Sequence, residues 1–493
     1  MKKGREPVKA YKGFNKYMQC TPNGKIFQYE IGKEYKEDEA DLCHCGFHAC
    51  ENPLDVLSYY NNIDDKFCEV ELDKIDPNRN KDSKICGKKI KIGIEIGFLG
   101  LFKAGIEWIK NKTIFTKEDF EKLPSGYNVK ISSSDYNTKI SSSSDKAKIG
   151  SSGNHAQIGS SGDGTKIGSS GDNAKIGSSG DNAEIGSSSD NAKIGSSGDN
   201  AKIGSSGNYV QIGSSGDYVQ IGSSSDNAKI GSSGDNAKIG SSGNHAQIGS
   251  SGDYVQIGSS GDDTKIGSSS DYVQIGSSGY NAKISSSGDD AQIGSSGNHA
   301  QISSSSDNAK IGSSGDYVQI GSSGDNAEIG SSSDYAKIGF SGNSTKIGSS
   351  GYNAKIGSSG DKAQISSSGD YAQISSSGDY AQISSSGNHA QISSSGDDTK
   401  ISSSGYNAKI SSSGDDTKIS SSGYDCVIMC AGINSSAKAK IGSWITLAEW
   451  KYSEEKQKYI PFLVMTKQVD GIEIKEDVYY TLQDGKFKES KQH

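Results

Sequence analysis

The stretch IGSSGDNAKIGSSGDNAEIGSSSDNAKIGSSGDNAKI, residues 167–203, decides how this chain folds. An isoleucine recurs at every ninth position. The register runs without insertion or deletion from Ile131, Ile140 and Ile149 through Ile257 and Ile347 to Ile428, 34 isoleucines in all. Two places before each stands Ala, Val or Thr, until Cys426 ends the series. The residue between is Lys, Gln or Glu, until Val427. A fixed internal period of this kind is the signature of a repeat architecture.

The unit has a physical reading. Ala-Lys-Ile alternates small apolar, polar, large apolar, so along a strand Ala and Ile share one face and Lys takes the other. Ser-Ser-Gly-Asp-Asn is turn chemistry, since Gly accepts positive φ and Asp or Asn bonds nearby backbone. Nine residues therefore make one short strand and one corner. A single unit cannot bury its isoleucine, but stacked copies form a continuous inner column. With two units to the coil, about 17 coils at ~4.8 Å give a rod of roughly 80 Å. With three the rod is shorter, and the spacing alone does not choose.

Two other readings compete. Gly/Ser-rich tracts ordinarily behave as flexible linkers, but a linker has no reason to hold isoleucine in register 34 times. The calcium-binding nonapeptide Gly-Gly-x-Gly-x-Asp-x-U-x has the same length. Here the acidic slot falls one place early and is often Asn or Tyr, as at Asn154, Asn208 and Tyr280. Calcium is not expected.

Composition agrees with a narrow core. Of 493 residues only 31% are hydrophobic, and 64 are Gly. The formal charge of −8 is unevenly spread. Residues 1–130 hold 23 basic and 21 acidic side chains and 431–493 hold 10 and 9, leaving the array 19 and 30, a net −11. Such a surface repels nucleic acid and keeps a stacked β structure soluble. No apolar signal region follows MKKGREPVKAYKGF, and no stretch reaches 18 apolar residues. The eight cysteines lie in the two ends, which suits a reducing compartment. The expectation is a cytoplasmic protein without membrane contact, able to engage a protein partner or itself.

The ends read differently. Residues 1–125 form an α+β head, 126–430 the solenoid and 431–493 a β-rich cap. Strands are expected at Lys9 to Phe14, Lys25 to Tyr29 and Phe67 to Leu72, with a turn at Pro22-Asn23-Gly24. Lys89 to Ile96 should place Ile90, Ile92, Ile94 and Ile96 on one face. Asn52-Pro53 is a helix start, burying Leu54, Leu57 and Tyr60. Another helix runs through Leu101, Ile106 and Ile109, and a further one opens at Thr116 with Asp119. The head is expected to cover the open first coil. After Cys430 the period breaks. Strands over Trp444 to Trp450, Tyr459 to Lys467 and Ile472 to Phe487 then close the stack, with turns at Asp470-Gly471 and Asp484-Gly485. Before the last unit, Phe340 alone replaces the serine two places after an isoleucine. It should overfill an inward slot and swing out.

One cluster could carry chemistry: Cys43-His44-Cys45-Gly46-Phe47-His48-Ala49-Cys50. Cys43, Cys45, His48 and Cys50 are candidate zinc ligands. The C-x-C spacing is tighter than the usual C-x2–4-C, so all four converge only if the loop curls. Cys68 or Cys86 could supply a missing ligand. The alternatives are a structural loop with buried thiols, or a catalytic thiol beside His48, for which no base and oxyanion site can be named.

AYKGF, CGFHACENPLDVLSYY, KKIKIGIEIG and the C-terminal VDGIEIKEDVYYTLQDGKF together resemble an uncharacterised family of Gram-positive bacterial and prophage proteins. That family combines a small head with GFHxC, a nonapeptide array and a β-rich C-terminal domain. The resemblance implies a phage-linked origin and no activity. Three functions remain in view: a non-enzymatic structural or interaction rod spacing two end domains, a phage-derived protein sequestering a host factor, and a zinc-binding or enzymatic head on a spacer.

Overall fold

A computed structural model describes residues 7–21, 26–42, 44–60, 65–76, 83–113 and 128–490. The fold is mostly β: a β-solenoid from residue 130 to residue 447, preceded by a β-rich head and followed by a β domain. The chain divides into two compact units, residues 1–273 and 274–493.

In the first unit the head is a small antiparallel barrel. Strand β1 (Val8–Phe14) is followed by the short pair β2 (Gln19–Cys20) and β3 (Phe27–Gln28), then by β4 (Glu34–Lys36) and β5 (Phe47–Cys50). The long strands β6 (Lys66–Ile75) and β7 (Lys84–Glu95) complete it. β7 pairs with β6 on one edge and with β5 and β4 on the other, while β1 bridges β5 and β6, so the ring closes. Inside are Phe14, Tyr29, Phe47, Leu72, Ile90 and Ile92. Of the alternating isoleucines Ile90 and Ile92 face inward, but Ile94 is 64% exposed. A register shift at Cys68/Val70 on the partner strand interrupts the alternation there.

Asn52 caps a 3-10 helix at Pro53–Ser58, accepting the Leu54 N–H, with proline at the first position as the sequence suggests. Leu54 and Leu57 pack with Tyr11, Phe67, Leu101 and Phe102 in a second apolar layer outside the barrel. Helix α1 (Gly97–Thr113) closes that layer. The side chains of Ile106 and Ile109, the Pro22-Asn23-Gly24 turn, and the helix expected at Thr116 and Asp119 lie outside the described residues.

The array settles the coil. Strands of four residues alternate between two parallel sheets, and each residue pairs with the one 18 places on: Ile149 with Ile167 in the first sheet, Ile158 with Ile176 in the second. Two nine-residue units therefore make one coil. Ala174, Ile176 and Ser178 face inward and are buried, while Asn173 takes the corner with φ 59°.

The head does not sit on the first coil as expected. Helix α1 lies along the flank of the second sheet and touches every strand from Gln157–Ser160 to Lys265–Ser268. A 17-residue helix is about 25 Å long and seven strands at ~4.8 Å span a similar length, so the helix axis follows the coil axis. Its direction is opposite to the growth of the array. Phe98 packs on Gly267 and Phe102 on Gly249, and the Lys193 ammonium lies 4.6 Å from the Trp108 ring centre. A Cβ at Gly249 or Gly267 would come within 3 Å of those rings, so glycine there admits the helix.

A buried polar knot fixes this docking. Asn52 Nδ2 and Gln211 Nε2 both donate to Asp55 Oδ1, at 2.9 and 3.0 Å, and the Ser83 N–H donates to Asp55 Oδ2. Asn52 Nδ2 also donates to Gln211 Oε1, and Lys229 Nζ donates to the Leu54 carbonyl at 2.6 Å. Burial pushes the Asp55 carboxyl up. Lys193, the Ser83 bonds and Lys229 outweigh it, and the group lies below the usual carboxylate range.

In the second unit the strands pair in the same way, Ile365 with Ile383 and Ile374 with Ile392. The period slips at the end. Val427–Cys430 pairs in parallel with Trp444–Ser453, with Ile428 opposite Ile445, one residue short of a coil. Trp444–Ser453 then forms a hairpin with Lys458–Gln468. Tyr480–Gln483 and Lys486–Glu489 form another across Asp484 and Gly485, both at positive φ. The segment Ile472 to Tyr479, expected as strand, is instead a loop in which Asp470 Oδ1 accepts the N–H groups of Ile472, Glu473 and Ile474.

Phe340 stays inside the coil, contrary to expectation. It is 6% exposed and pairs with Ser322 and Ser358 on adjacent coils. The reason is the width of the inner row: serines leave space there, and several of their hydroxyls, those of Ser349, Ser367 and Ser385 among them, find no protein partner. An unpaired buried hydroxyl costs roughly 1–3 kcal/mol. Ser367→Ala is therefore expected to stabilise the coil by about 1 kcal/mol, read as a raised melting temperature. A lowered one would mean that the hydroxyl is bonded after all.

Candidate binding surface

The described Cys/His residues lie on β5 and in the turn before it. On β5, Phe47 and Ala49 point into the barrel and Cys50 packs in the outer layer with Tyr11, Leu54 and Phe102. His48 is held down to about 4 by burial and by the neighbouring Lys84 and Lys12 cations, so it is neutral near pH 7. Cys45 belongs to the turn before β5, where its carbonyl accepts the Cys86 thiol at 3.0 Å. Burial pushes Cys86 and Cys68 up to about 12, which keeps both as thiols. Cys43 lies outside the described residues. Among the described residues no three His, Cys, Asp or Glu side chains gather around one point.

The array surface has two parts. On the flat faces outward Lys and Gln form rows, and Glu184 and Glu328 pair with Lys166 and Lys346 on adjacent coils at 2.6 and 3.3 Å. Exposed pairs of this kind contribute at most about 1 kcal/mol. At the corners the Asp or Asn side chain does structural work. Asp181 Oδ1 accepts the Asp199 N–H, and Asp199 Oδ1 the Asp217 N–H, each at 2.9 Å. Asn154, Asn244 and Asn388 accept in the same way. The coil uses the oxygen and not the charge, which explains why Asn stands in freely.

The next corner residue is left-handed in every unit, with φ between 54° and 59° from Asn281 to Asp425. Asn and Asp tolerate this, whereas a bulky side chain pays roughly 1–2 kcal/mol. Yet in the second unit one of the two corners is filled with rings. Tyr280, His299, Tyr317, Tyr335, Tyr352, Tyr371, His389 and Tyr406 form an unbroken chain with centroids 4.7–6.1 Å apart. Tyr424 follows one coil on and is 61% exposed. His299, Tyr317 and Tyr335 are stacked nearly parallel, as are Tyr371 and His389, while Tyr352 and Tyr406 cross the stack.

Charge is divided in the same way. The ring-bearing corner carries only Asp316, Asp334, Asp370 and Asp425 between residues 280 and 425. The opposite corner carries ten acidic residues over the same coils, from Asp289 and Asp290 to Asp415 and Asp416, and a single ring, Tyr380. The corner carboxylates beside the rings are themselves engaged: Asp334 and Asp370 accept the Tyr352 and Asn388 N–H groups at 2.7 Å, and Asp425 bonds Tyr406. The tyrosine and histidine cassettes are visible in the sequence. Their gathering on one corner appears only when the letters are read at 18 residues, the period the coil fixes.

Residues 8–104, from β1 into the first half of α1, match the family model DUF7666, described as a domain of unknown function. The match spans well under half of the chain. No curated protein and no solved structure matches it.

Proposed function

We propose that this protein acts by shape and surface, as a non-enzymatic structural or interaction rod. The observation that carries this reading is the register: every surface position recurs 18 residues on, one strand spacing away, so one weak contact is offered many times along the coil. Repeated weak contacts add through avidity when the partner matches the spacing. The head supports the same reading, because Cys20, Cys50 and Cys68 are buried in its apolar layers and its long helix is spent on docking. The phage link rests on the family resemblance alone.

The test is to shorten the array by whole coils. Removing residues 366–383 joins Ile365 to Ser384 in register, and the coil should close again. Full-length and shortened chains would be immobilised and exposed to host lysate. Retained protein is expected to fall step by step with each coil removed, and Cys50→Ala in the full chain should leave it unchanged. Retention indifferent to coil number but abolished by Cys50→Ala in a folded head would replace the rod by a head-borne activity.

A further inference from the structure

We infer that the aromatic corner of the second unit is a self-association face, docking against the same corner of a second copy of this chain. The inference rests on reading the array as an interaction rod and names its partner.

Three independent features point there. First, five of the nine rings occupy strained positions: His299, Tyr317, Tyr335, Tyr371 and His389 have positive φ, where Asn281, Asn308 and Asn326 serve the coil without strain. The opposite corner of the same coils holds one ring at such a position, Tyr380, so the strain is concentrated in one row, as it is at functional surfaces. Second, the corner is the less charged of the two by four acidic residues to ten, and its rings remain about half exposed, 50% at Tyr317 and 44% at Tyr371. A long amphipathic ridge of low charge is what a second protein surface can cover. Tyrosine suits such a place because its ring buries area while its hydroxyl still finds a partner. Third, the rungs repeat at the spacing of the coil itself. A second copy has that spacing by construction, so a match at one rung is a match at every rung.

A two-fold axis near Tyr352, the middle ring of the nine, would lay the ladders antiparallel, with Tyr335 opposite Tyr371 and Tyr280 opposite Tyr424. Such a contact is isologous and closes at two copies. The acidic corners then face away from the contact on both sides, which limits further lateral growth.

The experiment is sedimentation equilibrium of the full chain over a wide concentration range, with two variants. Tyr317→Asn, Tyr335→Asn and Tyr371→Asn together install the residue that the array already uses at the left-handed position. The single Tyr380→Asn on the opposite corner is the control. The native chain and the control are expected to show twice the monomer mass at high concentration. The triple variant should show the monomer mass throughout, with a melting temperature equal to or above the native one because strain is relieved. A native chain that stays monomeric at all concentrations overturns the inference, as does a triple variant that keeps the doubled mass. A monomer whose tyrosine fluorescence changes only on adding soluble polysaccharide would make the corner a carbohydrate platform instead. If the mass never doubles while lysate retention still falls coil by coil, the self-association is wrong and the rod reading stands.

Discussion

Ile257→Asp is expected to lower stability by about 4 kcal/mol or more, through loss of a buried isoleucine and burial of a carboxylate without a partner. Ile257 is 3% exposed and sits in register with Ile239 on the preceding coil. The solenoid has no second core to absorb the defect, because each coil packs only on its neighbours. Unfolding should therefore begin at that coil. Gln256, the adjacent residue, points outward, and Gln256→Lys should change stability by no more than about 0.5 kcal/mol. Paired thermal and guanidinium melts measure both. Equal losses would show that inward and outward faces have been exchanged.

Asp55→Ala should cost the docked head about 3–5 kcal/mol, the usual penalty for removing one member of a buried charged network. It strips the acceptor from Asn52, Gln211 and the Ser83 N–H and leaves Lys193 and Lys229 facing an empty site. Part of that loss should follow from acid. The folded carboxyl lies below its unfolded value, so the unfolded chain takes up the proton first as pH falls. The stabilisation is thus complete above the ordinary aspartate range near 4 and drains away below it. Hydrogen exchange at α1 and at the strands it covers is the measurement. Exchange there should quicken most in Asp55→Ala, and less in Asp55→Asn and in the wild type at low pH, both of which lose the charge but keep the Oδ1 acceptor. Equal protection in Asp55→Ala and in the exposed control Glu71→Ala would show that the polar knot does not hold the head.

Much of the fold is legible without coordinates, for a local reason. Side-chain direction along a strand has period two, so Ala-Lys-Ile fixes which residues go inward. Gly-Asp-Asn fixes where the chain must turn. The Asn52-Pro53 helix start and the Asp484-Gly485 hairpin are equally local, and both stand where the sequence puts them.

What only the tertiary structure decided is how these local pieces are shared out in space. A nine-residue period is compatible with two or three units to the coil, because the same corner can close either. The pairing of Ile149 with Ile167 chooses two. Once that number is known, every second corner belongs to one edge, and the scattered tyrosines and histidines of the second unit become a single ladder. The head's place on the coil flank depends on contacts such as Asp55 with Gln211, 156 residues apart, which no window of sequence contains. The Cys/His loop shows the opposite case, local alternation that is read straight from the strand. Its residues are adjacent in sequence, but alternation along β5 sends neighbours to opposite sides, so Ala49 lines the barrel while Cys50 joins the outer layer. The sequence by itself determined the coil's inner column and its corners, because those rest on chain-local geometry. The number of units per turn, the docking of the head and the aromatic corner were decided by pairings 18 or more residues apart, which exist only once the chain has closed on itself.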